Sequence, residues 1–181
     1  DRIEAILTGK PFDDSTFTPD EMTESDPCVE MFTAWRTGKR IKVVSIELAM
    51  VSETYRCGGT LDLVARINNG PLVLLDFKTS GNLYETYIAQ VAAYIDMVAD
   101  IHGKHIESAI LVRFGKDGTC DELVIEGEML ERGRRLFHIA CELKTMEPLL
   151  KADLATATRV VGTVAPVMEL PTVSAKEVKI A

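Results

Sequence analysis

Apolar positions change their spacing several times along the chain, and each change marks an element. Ile3, Ile6 and Leu7 share one face of a helix that Gly9 and Pro11 end. Pro19, Asp20 and Glu21 read as a second helix start. Val29, Phe32 and Trp35 keep helical spacing in a third helix over 27–36, which Gly38 stops. The period then shortens to that of strands, with runs rich in Val, Ile and Leu over 42–51, 59–67 and 71–78. Ile88, Val91, Ile95 and Val98 form the apolar stripe of a long helix over 83–102. A further strand over 107–114, a turn at Gly115-Lys116-Asp117-Gly118 and a short alternating strand over 121–126 follow. A last helix over 128–147 is limited by Pro148. This order predicts one α/β domain over 1–165, with N-terminal helices over 1–40 and a core over 41–147 built on a central mixed sheet flanked by helices. The tail, 166–181, contains Pro166 and Pro171 and is expected to be loosely ordered.

The second and third strands carry the chemistry. Asn68-Asn69-Gly70 between them reads as a three-residue hairpin loop, a type I turn followed by a left-handed residue at Gly70. Such a loop sets Ile67 against Pro71, and Asp62 therefore against Asp76. Residues directly opposite on one sheet face have Cβ atoms ~4.5–5.5 Å apart. Lys78 lies two residues beyond Asp76 and projects from the same face. Leu61, Leu63, Ala65 and Ile67 lie with Phe77, Leu75, Val73 and Pro71 on an apolar core face. The opposite face holds Thr60, Asp62, Val64 and Arg66 against Lys78, Asp76, Leu74 and Leu72, with its polar end at the acids. A one-residue slip would exchange these faces, so the apolar set holds the register. If the preceding loop spans 52–57, Glu47 falls opposite Asp62, a register without a defining turn residue.

Composition narrows what these acids can serve. The 181 residues, 46% hydrophobic and 27% charged, are ordinary for a globular domain. Net charge is −8, which excludes a uniformly basic surface and leaves a nucleic-acid partner only a local basic strip or a metal ion to hold it. Cys28, Cys57, Cys120 and Cys141 form no CxxC pair, which argues against a zinc ribbon or an iron–sulfur cluster. Reduced thiols in a cytoplasmic protein are expected. No apolar run approaches the ~18–20 residues of a membrane span, and none reads as a signal peptide.

Three carboxylates (Glu47, Asp62, Asp76) converging with Lys78 suit a hard divalent cation, Mg²⁺ or Mn²⁺, with the Phe77 carbonyl as a further oxygen ligand. A lysine beside such an ion can orient or deprotonate a bound water, the apparatus of metal-assisted phosphodiester hydrolysis. Spacing alone leaves a second account open, a solvated ion cluster on a hairpin.

Gly59-Thr60-Leu61-Asp62, then Leu74-Leu75-Asp76-Phe77-Lys78-Thr79-Ser80, then Gln90-Val91-Ala92-Ala93-Tyr94 present GxxD, (D/E)xK and QxxxY in order. Singly each is weak; in series on strand, strand and helix they resemble the PD-(D/E)XK nuclease superfamily, specifically its RecB-like, phage-type exonuclease branch. The resemblance covers about a quarter of the chain, residues 47–94. It implies a restriction-endonuclease-like core and a metal-dependent deoxyribonuclease, expected to be an exonuclease in recombination, repair or phage DNA processing. An endonuclease of the same superfamily, or a catalytically silent nucleic-acid-binding or assembly subunit, are the alternatives. It implies Asp62, Asp76 and the Phe77 carbonyl as metal ligands, Glu47 as a further acid and Lys78 as the catalytic lysine. Gln90, Tyr94, Thr79 and Ser80 would support the site and touch substrate. Gln90 and Tyr94, four apart, share a helix face. Many relatives carry a histidine on a helix whose following stretch Asp1 to Leu7 resembles, so one metal ligand is expected outside this sequence.

The expected partner is DNA, held through Arg36, Lys39, Arg40 and Lys42, through Arg113 and Lys116, or through Arg132, Arg134 and Arg135. A homo-oligomer or a recombination partner protein is also open. His102, His105 and His138 have no ligand spacing near the acids and are expected at the surface.

Overall fold

The computed structural model describes residues 2–157. Its elements are α1 (Arg2–Thr8), α2 (Pro19–Arg36), β1 (Ile41–Ser52), β2 (Cys57–Ile67), β3 (Leu72–Lys78), α3 (Glu85–His102), β4 (Ser108–Phe114), β5 (Cys120–Ile125) and α4 (Gly127–Thr156). The fold is α/β, a five-stranded mixed sheet in the order β1-β2-β3-β4-β5 flanked by helices. All neighbours are antiparallel except β3 and β4, which run parallel and are joined through α3. A parallel pair needs such a crossover because its strands start at the same end of the sheet. The chain divides into two compact units, one ending at Met146 and the other starting at Glu147. In the second unit Lys151 pairs with Glu147 at 2.6 Å, one helical turn apart. The expected tail over 166–181 lies outside the described residues.

Two prolines depart from expectation. The second and third helices predicted at the N-terminus are one helix, α2, with Pro27 inside it. Thr18 and Glu21 form a reciprocal capping box at its start, the Thr18 amide donating to Glu21 Oε2 at 2.8 Å. Phe32 and Trp35 anchor its far end in the core. A helix held at both ends tolerates the loss of one internal hydrogen bond. Pro148 likewise lies within α4 and does not end it.

Both faces of the sheet are core. Toward α1 and α2 lie Leu63, Ala65, Val73, Leu75, Val112 and Phe114 with Phe32 and Trp35. Toward α3 lie Val64, Leu74, Leu111, Val91, Ile95 and Val98. The face expected to be polar is thus polar only at its end, since Val64 and Leu74 are buried under α3. On α4, Gly133 lies where a Cβ would come within 2.8 Å of the Ile88 carbonyl oxygen of α3, so close helix packing requires glycine there.

The hairpin register follows the sequence. Leu63 faces Leu75, Val64 faces Leu74, Ala65 faces Val73 and Arg66 faces Leu72. The turn that sets it is built differently. Asn68 and Asn69 both have positive φ (53° and 63°), and the Gly70 amide donates to the Ile67 carbonyl at 2.8 Å. Both left-handed positions therefore fall to asparagines, as in a type I′ turn, whose twist matches the strands. Gly70 keeps a steric role, since a Cβ there would sit 3.0 Å from the Ile67 oxygen.

Between β1 and β2, Ile46 faces Leu63 and Leu48 faces Leu61, so Glu47 falls in line with Asp62 as expected. A bulge between Val43 and Ser45 shifts the pairing further along, which the sequence did not signal. Leu61 packs in the α3 core while Leu63 packs in the α2 core. The single apolar face predicted for Leu61, Leu63, Ala65 and Ile67 therefore breaks at Asp62. Glu47 stands across from this break with φ 46°, a conformation that side chains other than glycine adopt rarely.

Candidate active site

The site lies where the sheet forks. The β2–β3 ladder ends at Leu63 and Leu75. Beyond it β2 stays with β1 as far as Cys57, while β3 stays with β4 as far as Lys78, which faces Arg113. Asp62 and Asp76 stand in the mouth of this fork. A side chain replaces the missing ladder bond, because the Phe77 amide donates to Asp62 Oδ2 at 2.7 Å. Phe77 is itself held in an aromatic cluster, 5.6 Å from Phe32 edge-on and 6.0 Å from Phe114. That anchor turns the alternate residues Asp76 and Lys78 to the α3 side.

Asp76 is only 2% exposed. Among the described residues its Oδ2 receives no hydrogen bond of good geometry. Lys78 Nζ stands 2.6 Å from that oxygen as an ion pair, off the line that a hydrogen bond requires. Burial pushes the Asp76 carboxyl up to about 6, with Lys78 pulling against it and the nearby Asp62 charge adding to it. Asp62 is also raised, first by burial, against the Phe77 amide and Lys78. Glu47 is raised by desolvation and then by repulsion from Asp62. The acids thus run as a chain, Glu47 near Asp62 and Asp62 near Asp76. Among the described residues no three His, Cys, Asp or Glu side chains gather tightly enough to hold a metal ion.

Lys78 is held from three sides. Its Nζ donates to Gln90 Oε1 at 2.9 Å, and Gln90 Nε2 donates to the Tyr94 hydroxyl at 3.1 Å. An ammonium can only donate, so the amide oxygen must face it and the amide nitrogen must face Tyr94. Gln90 and Tyr94 do point together, as their spacing predicts. The Tyr94 ring lies against Gly59, where a Cβ would fall 2.7 Å from its Cε1. This gives the glycine of the GxxD stretch a physical reason. The third contact was missed from sequence, the Tyr87 ring 4.7 Å beneath Nζ. Tyr87 precedes Gln90 by three residues on the same helix face, a signal that could have found it.

Other candidates are less well placed. Thr79 is exposed at the strand end. The Ser80 hydroxyl donates to the Asn82 carbonyl at 2.7 Å. Arg113, expected to contact DNA, is buried. Its guanidinium bonds Asp121 and Thr119 at 2.6 Å and the Ser80 carbonyl at 3.3 Å, so it braces the segment after Lys78 instead. Arg132 pairs with Glu128, Arg134 with Asp96 and Glu131, and Lys39 with Glu122. Arg36 donates to the Ile6 carbonyl. Arg40, Lys42, Lys116 and Arg135 remain exposed. His102 and His105 are exposed, and His138 stacks on Tyr55 at 5.7 Å.

A cavity of about 420 Å³ adjoins the fork on the α1–α2 side, with Asp62, Glu47 and Phe77 in its wall. No helix among the described residues is long and apolar enough to cross a membrane.

No known protein family's sequence profile matches the chain, and no curated protein matches it. Among solved structures it is similar to a protein from Eubacterium rectale described as a candidate exonuclease, at 13% identity. That match covers 94% of this chain and 76% of the other, with TM-score 0.46. It is also similar to the protein SSO0001 at 15% identity, over 77% of this chain and 70% of the other, with TM-score 0.38. Likenesses this loose assign no activity.

Proposed function

We propose that this chain is a metal-dependent hydrolase of DNA phosphodiester bonds, acting as an exonuclease in recombination, repair or phage DNA processing. One observation carries the reading. A buried carboxylate oxygen, Asp76 Oδ2, receives no well-aligned hydrogen bond among the described residues, and its close polar neighbours are the Lys78 ammonium at 2.6 Å and a second carboxylate, Asp62. Buried polar groups are nearly always satisfied, and an orphan calls for an absent partner. A hard divalent cation suits the chemistry of that oxygen. Asp62, Asp76 and the Phe77 carbonyl offer oxygen ligands only, and magnesium commonly takes one or two carboxylates with water and substrate phosphate completing its shell. Bound there, Mg²⁺ or Mn²⁺ would lower the pKa of a water and polarise the scissile phosphate.

The protein's own groups do the rest. Gln90, Tyr94 and Tyr87 fix the Lys78 ammonium beside Asp76. From there it orients the attacking water or meets charge developing on the phosphate. Asp62 accepts from the Phe77 amide, which holds β3 at the fork. Exposed Arg40, Lys42, Lys116 and Arg135 supply local positive charge on a chain of net charge −8.

The test uses labelled linear and closed circular DNA with Mg²⁺, with Mn²⁺ and with chelator. Loss of linear DNA alone, only with metal, is the expected outcome. Cutting of circles would replace exonuclease by endonuclease. DNA binding without cleavage in either metal would overturn the hydrolytic reading in favour of a silent binding subunit.

A further inference from the structure

The cavity beside the fork is walled by α1, α2 and the segment between them on one side and by β1, β2 and β3 on the other. Its volume falls in the ~300–1,000 Å³ range of small-molecule clefts. Most of its wall is apolar, from Phe12, Phe17, Met22 and Val29 to Ile46 and Phe77. Phe12 and Phe17 stand 5.5 Å apart with rings tilted by 32°. Four of its six polar side chains are acidic, Glu21 among them, with Ser25 and Arg2 the others. Glu47 and Asp62 stand at the sheet side and Glu4 on α1.

Among the described residues of the wall the one cation, Arg2, is already engaged. It pairs with Asp26 at 2.7 Å and donates to the Met22 carbonyl and Ser25 Oγ, so it ties α1 to α2 rather than facing a ligand. An anion is therefore repelled from the cavity. A flat neutral group with apolar faces and N–H donors at its edge suits it, because the rings offer stacking and the carboxylates accept. A nucleobase has that chemistry, and carboxylates accept from base amino groups.

We propose that this cavity receives an unpaired nucleobase of the strand being cut, adjacent to the phosphate at Asp62 and Asp76. This rests on the nuclease reading of the same fork and adds the substrate class. A base in a duplex has its edge occupied by its partner and its faces by its neighbours, so the substrate at the moment of cleavage is single-stranded or frayed. The strand's sugar–phosphate lies outside the acidic cavity, and its base lies within. Stacking of this kind is worth a factor of roughly 5–150 in affinity per base.

The experiment uses the full chain as its Lys78→Ala variant, so that the probe survives, with Mn²⁺ present. The probe is a single-stranded oligodeoxynucleotide carrying 2-aminopurine at one end or at the other. Saturable quenching from one end, weak or absent with the same end in a duplex, is the expected result. Phe17→Ala should weaken half-saturation about tenfold. Val29→Phe, which fills the cavity and removes nothing, should do the same and decides the matter if Phe17→Ala fails to fold. Quenching that neither variant moves, or equal quenching in duplex, overturns the proposal. Quenching that both variants weaken, in a native protein that cleaves nothing, supports the cavity and sinks the hydrolytic reading. Normal cleavage with no cavity-dependent quenching does the reverse.

Discussion

The two halves of the β2–β3 hairpin are built from the same two strands and do opposite things. In the closed half, from Arg66 and Leu72 to Leu63 and Leu75, every ladder position is paired and both faces bear apolar side chains. Leu63, Leu74 and Leu75 are fully buried there. In the open half the pairing stops, a carboxylate replaces a backbone acceptor, and a buried acid keeps an orphan oxygen. The closed half lowers the free energy of the folded chain. The open half raises it, and is held in place by the closed one. Local strain of this sort persists only where surrounding structure over-determines it, and it clusters at functional sites.

That contrast can be broken by substitutions that separate stability from activity. The largest expected effect is on hydrolysis. Lys78→Ala should lower the rate on linear DNA by about a hundredfold or more. Its melting temperature at pH 7.5 should fall as well, because buried Asp76 loses its ion-pair partner. Cleavage at the native rate would remove Lys78 from the chemistry. In the closed half, Leu74→Ala should cost about 3 kcal/mol by urea denaturation, since it leaves a cavity under α3. A loss below 1 kcal/mol would show that the closed half is not the prop proposed.

Asp76→Asn should act in the opposite sense, stabilising the protein at pH 7.5 by on the order of 2 kcal/mol while abolishing activity. The sign follows from its carboxyl, raised to about 6 from an ordinary 3.8. The folded chain holds that proton more tightly than the unfolded chain. The group's contribution is fully present below about 4 and is lost as pH rises through about 6. Native protein should therefore gain stability on acidification across that window, and Asp76→Asn should flatten this part of the profile. Mg²⁺ should raise the native melting temperature at pH 7.5 and leave that of Asp76→Asn unchanged. An equal metal effect on both proteins would remove Asp76 from the ligands.

The smallest effect is at Glu47. Glycine adopts its positive φ without strain, so Glu47→Gly should stabilise by roughly 0.5–1 kcal/mol, the relief of left-handed strain less the added chain entropy. A destabilised Glu47→Gly would mean that the carboxylate has a structural partner.

Much of this was legible beforehand because local rules and burial agreed. Alternation over 61–67 and 71–77 left one workable register, and Asn68-Asn69-Gly70 could close it. The four-residue spacing of Gln90 and Tyr94 put both on one helix face, where they meet Lys78. Expectation failed where a distant contact outweighed a local signal. Pro27 and Pro148 read as boundaries, yet each lies inside a helix. Arg113 read as a surface cation, yet the turn after β4 folds back to bury it against Asp121 and Thr119. Leu61 read as a neighbour of Leu63, yet the fork turns it to the other face.

By itself the sequence determined the order of elements, the pairing of the central hairpin and the meeting of Asp76 with Lys78 on one face of the third strand. Each of these is set by side-chain period and turn length, which are properties of neighbours along the chain. Tertiary structure alone decided that both sheet faces are covered, that β2 leaves β3 beside the acids, that Glu47 is left-handed and that a cavity opens next to Asp62. Those depend on which surfaces α1, α2 and α3 bury, a choice made by packing between residues far apart in the chain.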